Sequence, residues 1–553
     1  MTSVLTRMRQ SSAEVRNTSP TGRRVALTLA AGVLVWVALV APESSSLLTP
    51  RALVRLPIEG LALASLALVL RPARRRWVLA PVGVALALLL LVRILDLVFT
   101  TVYGRNFDLL NDVGYAGSGL DLLGTTTGPA VAVAAALLGA ILVLGLLVAL
   151  PWSLCRLARL VDRHRSVSAR GAGVLTVAWG LLAAYGVAIA PGLPLASWST
   201  VALTSQQIHS TVVDLQDRAE FARIAAVDPF VDVPSAQLLG GLRGKDVVIL
   251  FVESYGKVAV DRSSVVDATL ARATDQLRDE GFAARSAWLT SATFGGISWL
   301  AHATLQSGLW VDTQQRYNQL MTTGRLTLSR AFARGGWRTV AVVPANRSDW
   351  PEGSSFYGYD KIYDSRTLGY AGPGFGYAPM PDQYTLAAFD RLELARPGHR
   401  PVMAEVDLVS SHAPWAPLPR LVDWPSIGDG AVYGPMVGEA TPQETVWRTE
   451  AGVRAAYGRS VAYSIESVLS FLRNTGDDNL VVLVVGDHQP APIVSGDRAS
   501  HEVPVSLISR DPDVAHRIST WGWDDGLTPQ PDAPVWPMDQ FRDRFLAAYG
   551  SAS

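Results

Sequence analysis

The sequence contains very little cysteine and carries no net charge. Cys155 is the only cysteine in 553 residues, which excludes a disulfide within the chain and any CxxC metal or redox motif. Lys plus Arg and Asp plus Glu number 48 each, so the chain lacks the basic excess of a nucleic-acid-binding surface. With 49% apolar residues and this length, it is expected to form several folded domains.

The charges are distributed unevenly along the chain. Residues 1–190 contain 18 Lys and Arg against 8 Asp and Glu, whereas residues 191–553 contain 30 against 40. The first part therefore has a net charge of +10 and the second a net charge of −10. We expect the two parts to lie in different surroundings, and the acidic second part argues further against nucleic acid as a partner.

Five apolar runs occupy the basic part, and each is close to the ~20 residues that cross ~30 Å of hydrocarbon. They cover residues 25–41, 52–70, 77–99, 129–150 and 172–190. We therefore predict an N-terminal all-α membrane domain of five transmembrane helices over residues 1–190. A stalk or linker that is partly an amphipathic helix is expected over 191–240, followed by a second folded domain over 241–553.

Arginines are concentrated in three of the segments that flank these runs. They are Arg7, Arg9, Arg16, Arg23 and Arg24 before the first run, Arg71, Arg74, Arg75 and Arg76 after the second, and Arg156, Arg159, Arg163, Arg165 and Arg170 after the fourth. Because positively charged loops stay in the cytoplasm, the N-terminus is expected inside the cell. Five spans then place the chain after about residue 191 outside the cytoplasm, in a multi-pass protein of the cell membrane.

Two charged residues interrupt the third apolar run. Arg93 and Asp96 lie three positions apart, which puts them on one face of a helix. Each charge, if unpaired at mid-membrane, would cost roughly 2.5 to 3.5 kcal/mol. Two interpretations stay open for this pair: a structural ion pair, or a contact to the lipid part of a substrate.

From Lys245 onward the pattern changes to apolar runs of strand length. They are VVILFV at 247, TVAVV at 339, VMAEVDLV at 402 and LVVLVV at 480. Such runs are typical of parallel strands that are buried on both faces. Predicted helices at 268–280, 326–334, 383–394 and 454–474 alternate with the runs, which indicates an α/β domain with a mostly parallel central sheet.

Polar residues follow the predicted strands at the points where the strands end. Glu253 follows the first strand, His412 comes shortly after the third, and Asp487 and His488 follow the fourth. Ligands of such folds bind beyond the carboxyl ends of the strands. Glu253, Asp487 and His488 provide a mixed oxygen and nitrogen set that suits Mn²⁺ or Zn²⁺. An Asp-His pair alone is more often an ordinary loop, and the agreement of three strand ends favours a site.

Five segments in this order resemble the alkaline phosphatase and sulfatase superfamily. They are FVESYG with Glu253, TFGGISWLAHATLQSG at 293–308, SSHAPW at 410, GDHQPAP at 486 and HEVP at 501. The branch that they resemble most is that of membrane enzymes related to lipoteichoic acid synthase and phosphoethanolamine transferases. The resemblance covers about residues 240–510 and implies an extracytoplasmic, alkaline phosphatase/sulfatase-like catalytic domain.

The resemblance also places the nucleophile in the glycine-rich segment, about ten residues before the glycine of a Leu-x-Ser/Thr-Gly turn. Ser298 lies ten residues before Gly308 and is the first choice, with Thr293 as the alternative. Formylglycine sulfatases carry a Cys/Ser-x-Pro-x-Arg pattern, whereas Ser298 is followed by WLAH. Formylglycine chemistry is therefore disfavoured. The related phosphotransferases usually carry threonine at the nucleophile, so Ser298 departs from their pattern.

A serine hydroxyl needs a base or a metal to become a nucleophile at neutral pH. A divalent metal, Mn²⁺ or Zn²⁺ with Mg²⁺ as a third candidate, is expected to be bound by Glu253, Ser298, Asp487 and His488 and to polarise the phosphoryl group. By resemblance, the residues that bind substrate or complete a second metal site are His412, His501, His302, Asn346, Arg347 and Trp350.

Three functions stay open on the sequence alone. The first is a phosphotransferase that moves a phosphoglycerol- or phosphoethanolamine-type head group from a membrane lipid donor to an envelope glycan or lipid acceptor, through a phosphoserine-type intermediate. The second is a phosphodiesterase or sulfatase-like hydrolase that passes the same intermediate to water. The third is a membrane scaffold with an inactive domain, whose signature would be a lost metal ligand, and none is lost here.

Overall fold

The computed structural model describes residues 20–42, 49–190 and 193–550, which separate into two compact units. The first unit contains the described parts of Met1–Thr100, Arg105–Leu109 and Ala130–Val212. The second contains Thr101–Gly104, Leu110–Pro129 and the described part of Val213–Ser553. The final division falls within the helix Ser199–Ala225, which covers much of the predicted stalk. Arg7, Arg9 and Arg16, which contribute to the predicted orientation, lie outside the described residues.

Long apolar helices make up most of the first unit. Among the described residues, four helices are long and apolar enough to cross a membrane: Thr21–Val40, Pro72–Tyr103, Pro129–Arg163 and Arg165–Ala184. They correspond to the first, third, fourth and fifth predicted spans.

The second predicted span, over residues 52–70, does not form a helix of spanning length. Pro50–Val54 is a separate 3₁₀ turn, and the helix that follows, Ile58–Val69, has only 12 residues. Pro57 lies between the two in an extended conformation and has no backbone N–H to continue a helix. The prediction of five spans is therefore not confirmed, and the first unit is apolar but not entirely helical. Besides its helices it has two pairs of short strands, Leu56–Pro57 with Ala196–Ser197 and Ala188–Ala190 with Leu193–Pro194.

Arg93 and Asp96 are both buried in the first unit. The Arg93 guanidinium donates to the carbonyl oxygen of Ala41 at 2.8 Å and to the hydroxyl of Ser199 at 3.1 Å. The Asp96 Oδ1 atom accepts the backbone N–H of Phe107 at 2.8 Å. These bonds satisfy buried charges and join the ends of separate helices, which favours the structural interpretation of the two residues.

One sheet of nine strands forms the centre of the second unit. The strands are β1 Asp246–Val252, β2 Ala283–Thr290, β3 Arg338–Val343, β4 Lys361–Asp364, β5 Val402–Leu408, β6 Leu480–Gly486, β7 Glu502–Ser509, β8 Asp524–Asp525 and β9 Val535–Pro537. Their order across the sheet is β8-β2-β7-β6-β1-β5-β3-β4, with β9 beside β2. Neighbours from β6 to β4 are parallel, and β7 is antiparallel to both β6 and β2. The mostly parallel sheet agrees with the predicted fold class.

Both faces of this sheet are buried, as continuous apolar strands require. Along β1, Val248 and Leu250 enter one apolar core, whereas Val247 and Ile249 enter the other. The longer helices of the unit are Tyr115–Thr127, Ser264–Asp279, Ser298–Ser307, Gln314–Leu320, Leu328–Gly335, Asp382–Phe389, Glu450–Asn474 and Gln540–Tyr549. Four of them overlap the four helices predicted from the sequence.

Candidate active site

The predicted nucleophile and metal ligands meet beyond the carboxyl ends of two adjacent strands. Glu253 directly follows β1, and Asp487 and His488 directly follow β6. The two strands are parallel neighbours with Val252 opposite Gly486, so the residues that follow them lie side by side. Ser298 is the first residue of the helix Ser298–Ser307.

Four side chains form what we call the nucleophile cluster: Ser298, Glu253, Asp487 and His488. The Ser298 Oγ atom lies 3.0 Å from Glu253 Oε2 and 3.2 Å from His488 Nε2. The same nitrogen lies 3.3 Å from Glu253 Oε1 and 3.4 Å from Asp487 Oδ2. The ligand atoms of the two carboxylates and the imidazole all lie within 4.8 Å of one another. One ion could therefore contact all three.

Hydrogen bonds from the surrounding chain fix the orientation of these ligands. Asp487 Oδ1 accepts the backbone N–H groups of Ser254 and His488, both at 2.7 Å. The His488 Nδ1 atom lies 2.8 Å from the carbonyl oxygen of Gln489, which leaves Nε2 to face Ser298. Asp487 Oδ2 is buried and has no hydrogen-bond partner among the described residues. Oriented ligands with one unsatisfied oxygen fit a divalent metal.

Unusual backbone conformations bring these residues together. Gly295, Gly296 and Ile297, which precede the nucleophile, have φ values of +73°, +153° and +66°. Ser254, which follows Glu253, has a φ of +56°. Left-handed conformations of non-glycine residues are costly and are concentrated at functional sites. Both sides of the nucleophile cluster are therefore held by strained turns.

Burial and mutual charge perturb the ionisation of the cluster. Burial raises the pKa of Asp487 to about 7, and the negative charge of Glu253 adds to this increase. Burial opposes protonation of His488, but Asp487 and Glu253 outweigh it and raise its pKa to about 9. Burial likewise opposes ionisation of Glu253, yet His412 and His488 lower its pKa well below the usual range. The cluster thus holds excess negative charge that a proton or a divalent cation can neutralise.

A cavity of about 710 Å³ opens beside Ser298. Five carboxylates line it: Glu253, Glu352, Glu405, Asp407 and Asp487. Six tyrosine and tryptophan rings form much of the rest of the wall: Tyr115, Trp299, Tyr317, Trp350, Tyr357 and Tyr377. No lysine or arginine is among the described residues that line the cavity.

A second group of side chains, which we call the acidic cluster, consists of His302, Glu405 and Asp407. His302 lies one helical turn after the nucleophile, and its Nδ1 atom is 3.2 Å from Glu405 and 3.7 Å from Asp407. Glu405 Oε2 also accepts hydrogen bonds from Tyr359 and Gln306. Asp407 Oδ1 is buried without a hydrogen-bond partner among the described residues.

The charges of the acidic cluster also perturb one another. Burial opposes protonation of His302, but Asp407 and Glu405 outweigh it and raise its pKa to about 9. Burial raises the pKa of Asp407 to about 7, against the opposing charge of His302. Sequence reasoning missed Glu405 and Asp407. The available signal was two carboxylates in the otherwise apolar run VMAEVDLV.

The other residues predicted to contact substrate are only partly brought together. His412, Asn346 and Trp350 line the cavity, and the His412 ring stacks on Tyr377 with 3.6 Å between ring centroids. Arg347 is exposed and does not line the cavity. Two further candidates, His501 and Thr293, are also absent from the cavity wall. The roles of all these residues stay predictions.

Comparison with known proteins gives similarity only at the level of solved structures. No family model matches the sequence, and no curated protein is significantly similar to it. The lipooligosaccharide phosphoethanolamine transferase EptA from Neisseria meningitidis is 13% identical, covers 95% of each chain and gives a TM-score of 0.47. The lipoteichoic acid synthase LtaP from Listeria monocytogenes is 15% identical, with 61% of this chain and 78% of that chain covered and a TM-score of 0.37.

A third similar structure is the Streptococcus pyogenes phosphoglycerol transferase GacH in complex with sn-glycerol-1-phosphate. It is 13% identical, with 59% of this chain and 78% of that chain covered and a TM-score of 0.37.

Proposed function

We propose that this protein is a membrane-anchored, metal-dependent phosphotransferase that moves a phospho-alcohol head group from a lipid donor to an envelope glycan or lipid. The observation that carries this proposal is the position of Ser298 Oγ, 3.0 Å from Glu253 Oε2 and 3.2 Å from His488 Nε2 at the edge of a large cavity. A hydroxyl that is hydrogen-bonded to a base in a cavity has the arrangement of a covalent nucleophile. Ser298 is therefore our candidate over Thr293, which does not line the cavity.

The reaction has two balanced steps. In the first, Ser298 Oγ bonds to the phosphorus of the donor, the phosphorus–oxygen bond to the diacylglycerol breaks, and the hydroxyl proton, whose hydrogen bond Glu253 Oε2 accepts, passes through solvent to the departing diacylglycerol oxygen. In the second, the oxygen of an acceptor hydroxyl bonds to the phosphorus, the phosphorus–oxygen bond to Ser298 breaks, and the acceptor proton passes to Ser298 Oγ. Glu253, Asp487, His488 and Ser298 would hold a divalent metal, which lowers the pKa of the hydroxyl and polarises the phosphoryl oxygens when bound.

The cavity wall favours a head group that carries a positive charge. A donor phosphodiester is an anion, yet the wall has five carboxylates and, among its described residues, no lysine or arginine. One divalent metal together with a protonated His302 does not balance five carboxylates and the donor phosphate, and unpaired buried charges are expensive. An ammonium group would offset it and would also suit the aromatic walls. Phosphoethanolamine-type lipids are therefore the preferred donors, and phosphoglycerol-type lipids are the alternative.

We also propose that residues 1–190 anchor the enzyme, that 191–240 link its parts, and that 241–553 form the catalytic domain outside the cytoplasm. The support is the arginine distribution, of which Arg71, Arg74, Arg75 and Arg76 lie in one described loop and helix start. The proposal requires the shorter apolar helix Ile58–Val69 to bring the chain back to the cytoplasmic side, because the four longer helices alone would leave residues 241–553 on the same side as the N-terminus. The lipid donor would then be reached from the outer membrane face.

Trapping of the covalent intermediate tests the proposed function. The purified full-length protein is mixed with Mn²⁺ and vesicles of phosphatidylethanolamine or phosphatidylglycerol, quenched with acid and digested for peptide mass spectrometry. We expect a phosphoethanolamine adduct on the peptide with Ser298, lost in Ser298→Ala and kept in Thr293→Ala. An adduct on Thr293 would reassign the nucleophile, and a formylglycine at 298 would indicate a sulfatase. Release to water as fast as to any supplied glycan or lipid would support the hydrolase.

A further inference from the structure

Part of the active-site cavity wall comes from a segment far from the rest of the site in sequence. Gly114 and Tyr115 line the cavity, and the segment Leu110–Pro129 to which they belong is part of the second compact unit. The Tyr115 ring meets the Trp299 ring edge to face, with 5.8 Å between centroids and an interplanar angle of 73°. Trp299 directly follows the nucleophile, so this aromatic pair borders the reacting atoms.

The same region presents apolar side chains to the outside. Trp299 is 37% exposed, and on the Tyr115 segment Val113 is 57% exposed and Leu120 is 37% exposed. Elsewhere the wall carboxylates and rings are buried or half-buried, as at Glu405 and Tyr357, which are buried, and Asp407 and Tyr377, which are half-buried. Exposed apolar side chains beside a cavity mark a surface that contacts an apolar partner.

Chain connectivity identifies that partner. The Tyr115 segment joins the helix Pro72–Tyr103 to the helix Pro129–Arg163, and both are long and apolar enough to cross a membrane. Tyr115 lies about a dozen residues from each helix. A connection this short between two membrane spans stays close to one face of the bilayer, where tyrosine and tryptophan rings are favoured.

We propose that Tyr115 and Trp299 bind the glycerol backbone and the first acyl carbons of the lipid donor, and that Tyr115 thereby selects membrane lipids over soluble phosphodiesters. This inference rests on the proposed function and adds the leaving-group side of its substrate. The acidic wall receives the head group, the nucleophile cluster receives the phosphate, and the aromatic pair receives the lipid. Each part of a phospholipid therefore meets a surface of matching chemistry.

The test compares two substrates of the same purified full-length enzyme. One is phosphatidylethanolamine in vesicles and the other is soluble bis(p-nitrophenyl) phosphate. We expect Tyr115→Ala to lower the ratio of lipid to soluble kcat/KM about tenfold, mainly through KM for the lipid, and Tyr115→Phe to restore the ratio because the ring is kept. Val265→Ser, which changes a side chain that is 40% exposed on another helix, is the matched control and should leave the ratio unchanged.

A second measurement does not depend on turnover. In a Ser298→Ala background, phosphatidylethanolamine with a photoreactive group near the start of one acyl chain should label the peptide that contains Tyr115, and Tyr115→Ala should reduce the labelling. The inference would be overturned if Tyr115→Ala lowered kcat equally on both substrates, or if it left the labelling unchanged. Tyr115 would then only hold Trp299 in position. Labelling as expected with no covalent adduct on wild-type Ser298 would instead refute the proposed function.

Discussion

The nucleophile cluster and the acidic cluster each contain two carboxylates and one histidine, but these groups have different surroundings. In the nucleophile cluster, Ser298 Oγ lies among the ligand atoms and Asp487 Oδ2 is left without a hydrogen-bond partner among the described residues. In the acidic cluster, Glu405 Oε2 is occupied by Tyr359 and Gln306. Composition alone therefore does not assign a role. The groups that already satisfy each carboxylate decide whether it is available for a metal.

This difference favours separate roles for the two clusters within one cavity. The nucleophile cluster offers open ligand positions and a hydroxyl, which suits covalent chemistry with a metal. In the acidic cluster Glu405 Oε2 already accepts two hydrogen bonds, whereas Asp407 Oδ1 has no hydrogen-bond partner among the described residues and can accept from a cationic group. Substitutions in one cluster should therefore change catalysis, and substitutions in the other should change substrate preference.

The largest effect is expected from Asp487→Asn in the nucleophile cluster. Loss of this carboxylate removes a metal ligand, so activity should fall at least about a thousandfold and bound Mn or Zn should decrease in parallel. Elemental analysis of purified protein and a vesicle assay measure the two quantities. Asp407→Asn is the matched control and should keep the metal content. If Asp407→Asn loses as much metal as Asp487→Asn, both clusters bind metal, and the proposed difference in their roles is wrong.

An intermediate effect is expected from Asp407→Asn on substrate preference. Removing one negative charge from the wall should lower kcat/KM for phosphatidylethanolamine about tenfold, by weakening a partly buried charge pair, and spare phosphatidylglycerol. Competition between the two lipids in mixed vesicles measures this change directly. Equal losses with both lipids would mean that the acidic cluster acts on catalysis and not on the head group.

The smallest effect is expected at Asp382, a buried carboxylate that belongs to neither cluster. Its Oδ1 accepts the N–H of Ser410 at 2.9 Å and its Oδ2 accepts the hydroxyl of Ser464 at 2.5 Å. Burial raises its pKa to about 6, partly opposed by these hydrogen bonds. The pKa of Asp382 is higher in the folded protein than in the unfolded chain. Its contribution to the free energy of unfolding is therefore fully present below about pH 4 and is lost as the pH rises through about 6.

Asp382→Asn should remove this pH dependence. The amide oxygen can accept the Ser410 N–H, and the amide NH2 can donate to the Ser464 hydroxyl oxygen once that hydroxyl rotates, so the uncharged variant should gain up to about 2 kcal/mol of unfolding free energy at neutral pH. Thermal unfolding of the purified protein between pH 4 and 8 measures the difference, with activity expected to stay close to wild type. A variant that is less stable at neutral pH would show that the ionised carboxylate is needed.

Much of the second unit could be predicted from the sequence because its central strands are continuous apolar runs. β1, β3, β5 and β6 lie where those runs predicted them, and the site residues Glu253, Asp487 and His488 follow the predicted strand ends. Strands β2 and β7 were missed. Their sequences contain Arg285, Ser286, Pro504 and Ser506, which interrupt the apolar pattern although pairing between the strands tolerates them.

Two other differences have physical causes that a single sequence hides. Hydropathy merged Pro50–Val54 and Ile58–Val69 into one predicted span, because apolar content does not reveal where a proline separates two short elements. Glu405 and Asp407 were read as strand interior. Glu405 and Asp407 lie two positions apart on β5, so their side chains point to the same face of the sheet, where Phe251 and His302 also lie. Only the fold shows that this face opens into a cavity.

The left-handed residues Ser254 and Ile297 have a consequence for how this protein could be engineered. A search for thermostable variants would find glycine attractive at both positions, because glycine adopts these conformations without steric cost. The same change would give the turns freedom to leave the geometry that brings Glu253 and Ser298 within hydrogen-bonding distance. Selection for robustness and selection for turnover should therefore favour different residues at these two turns.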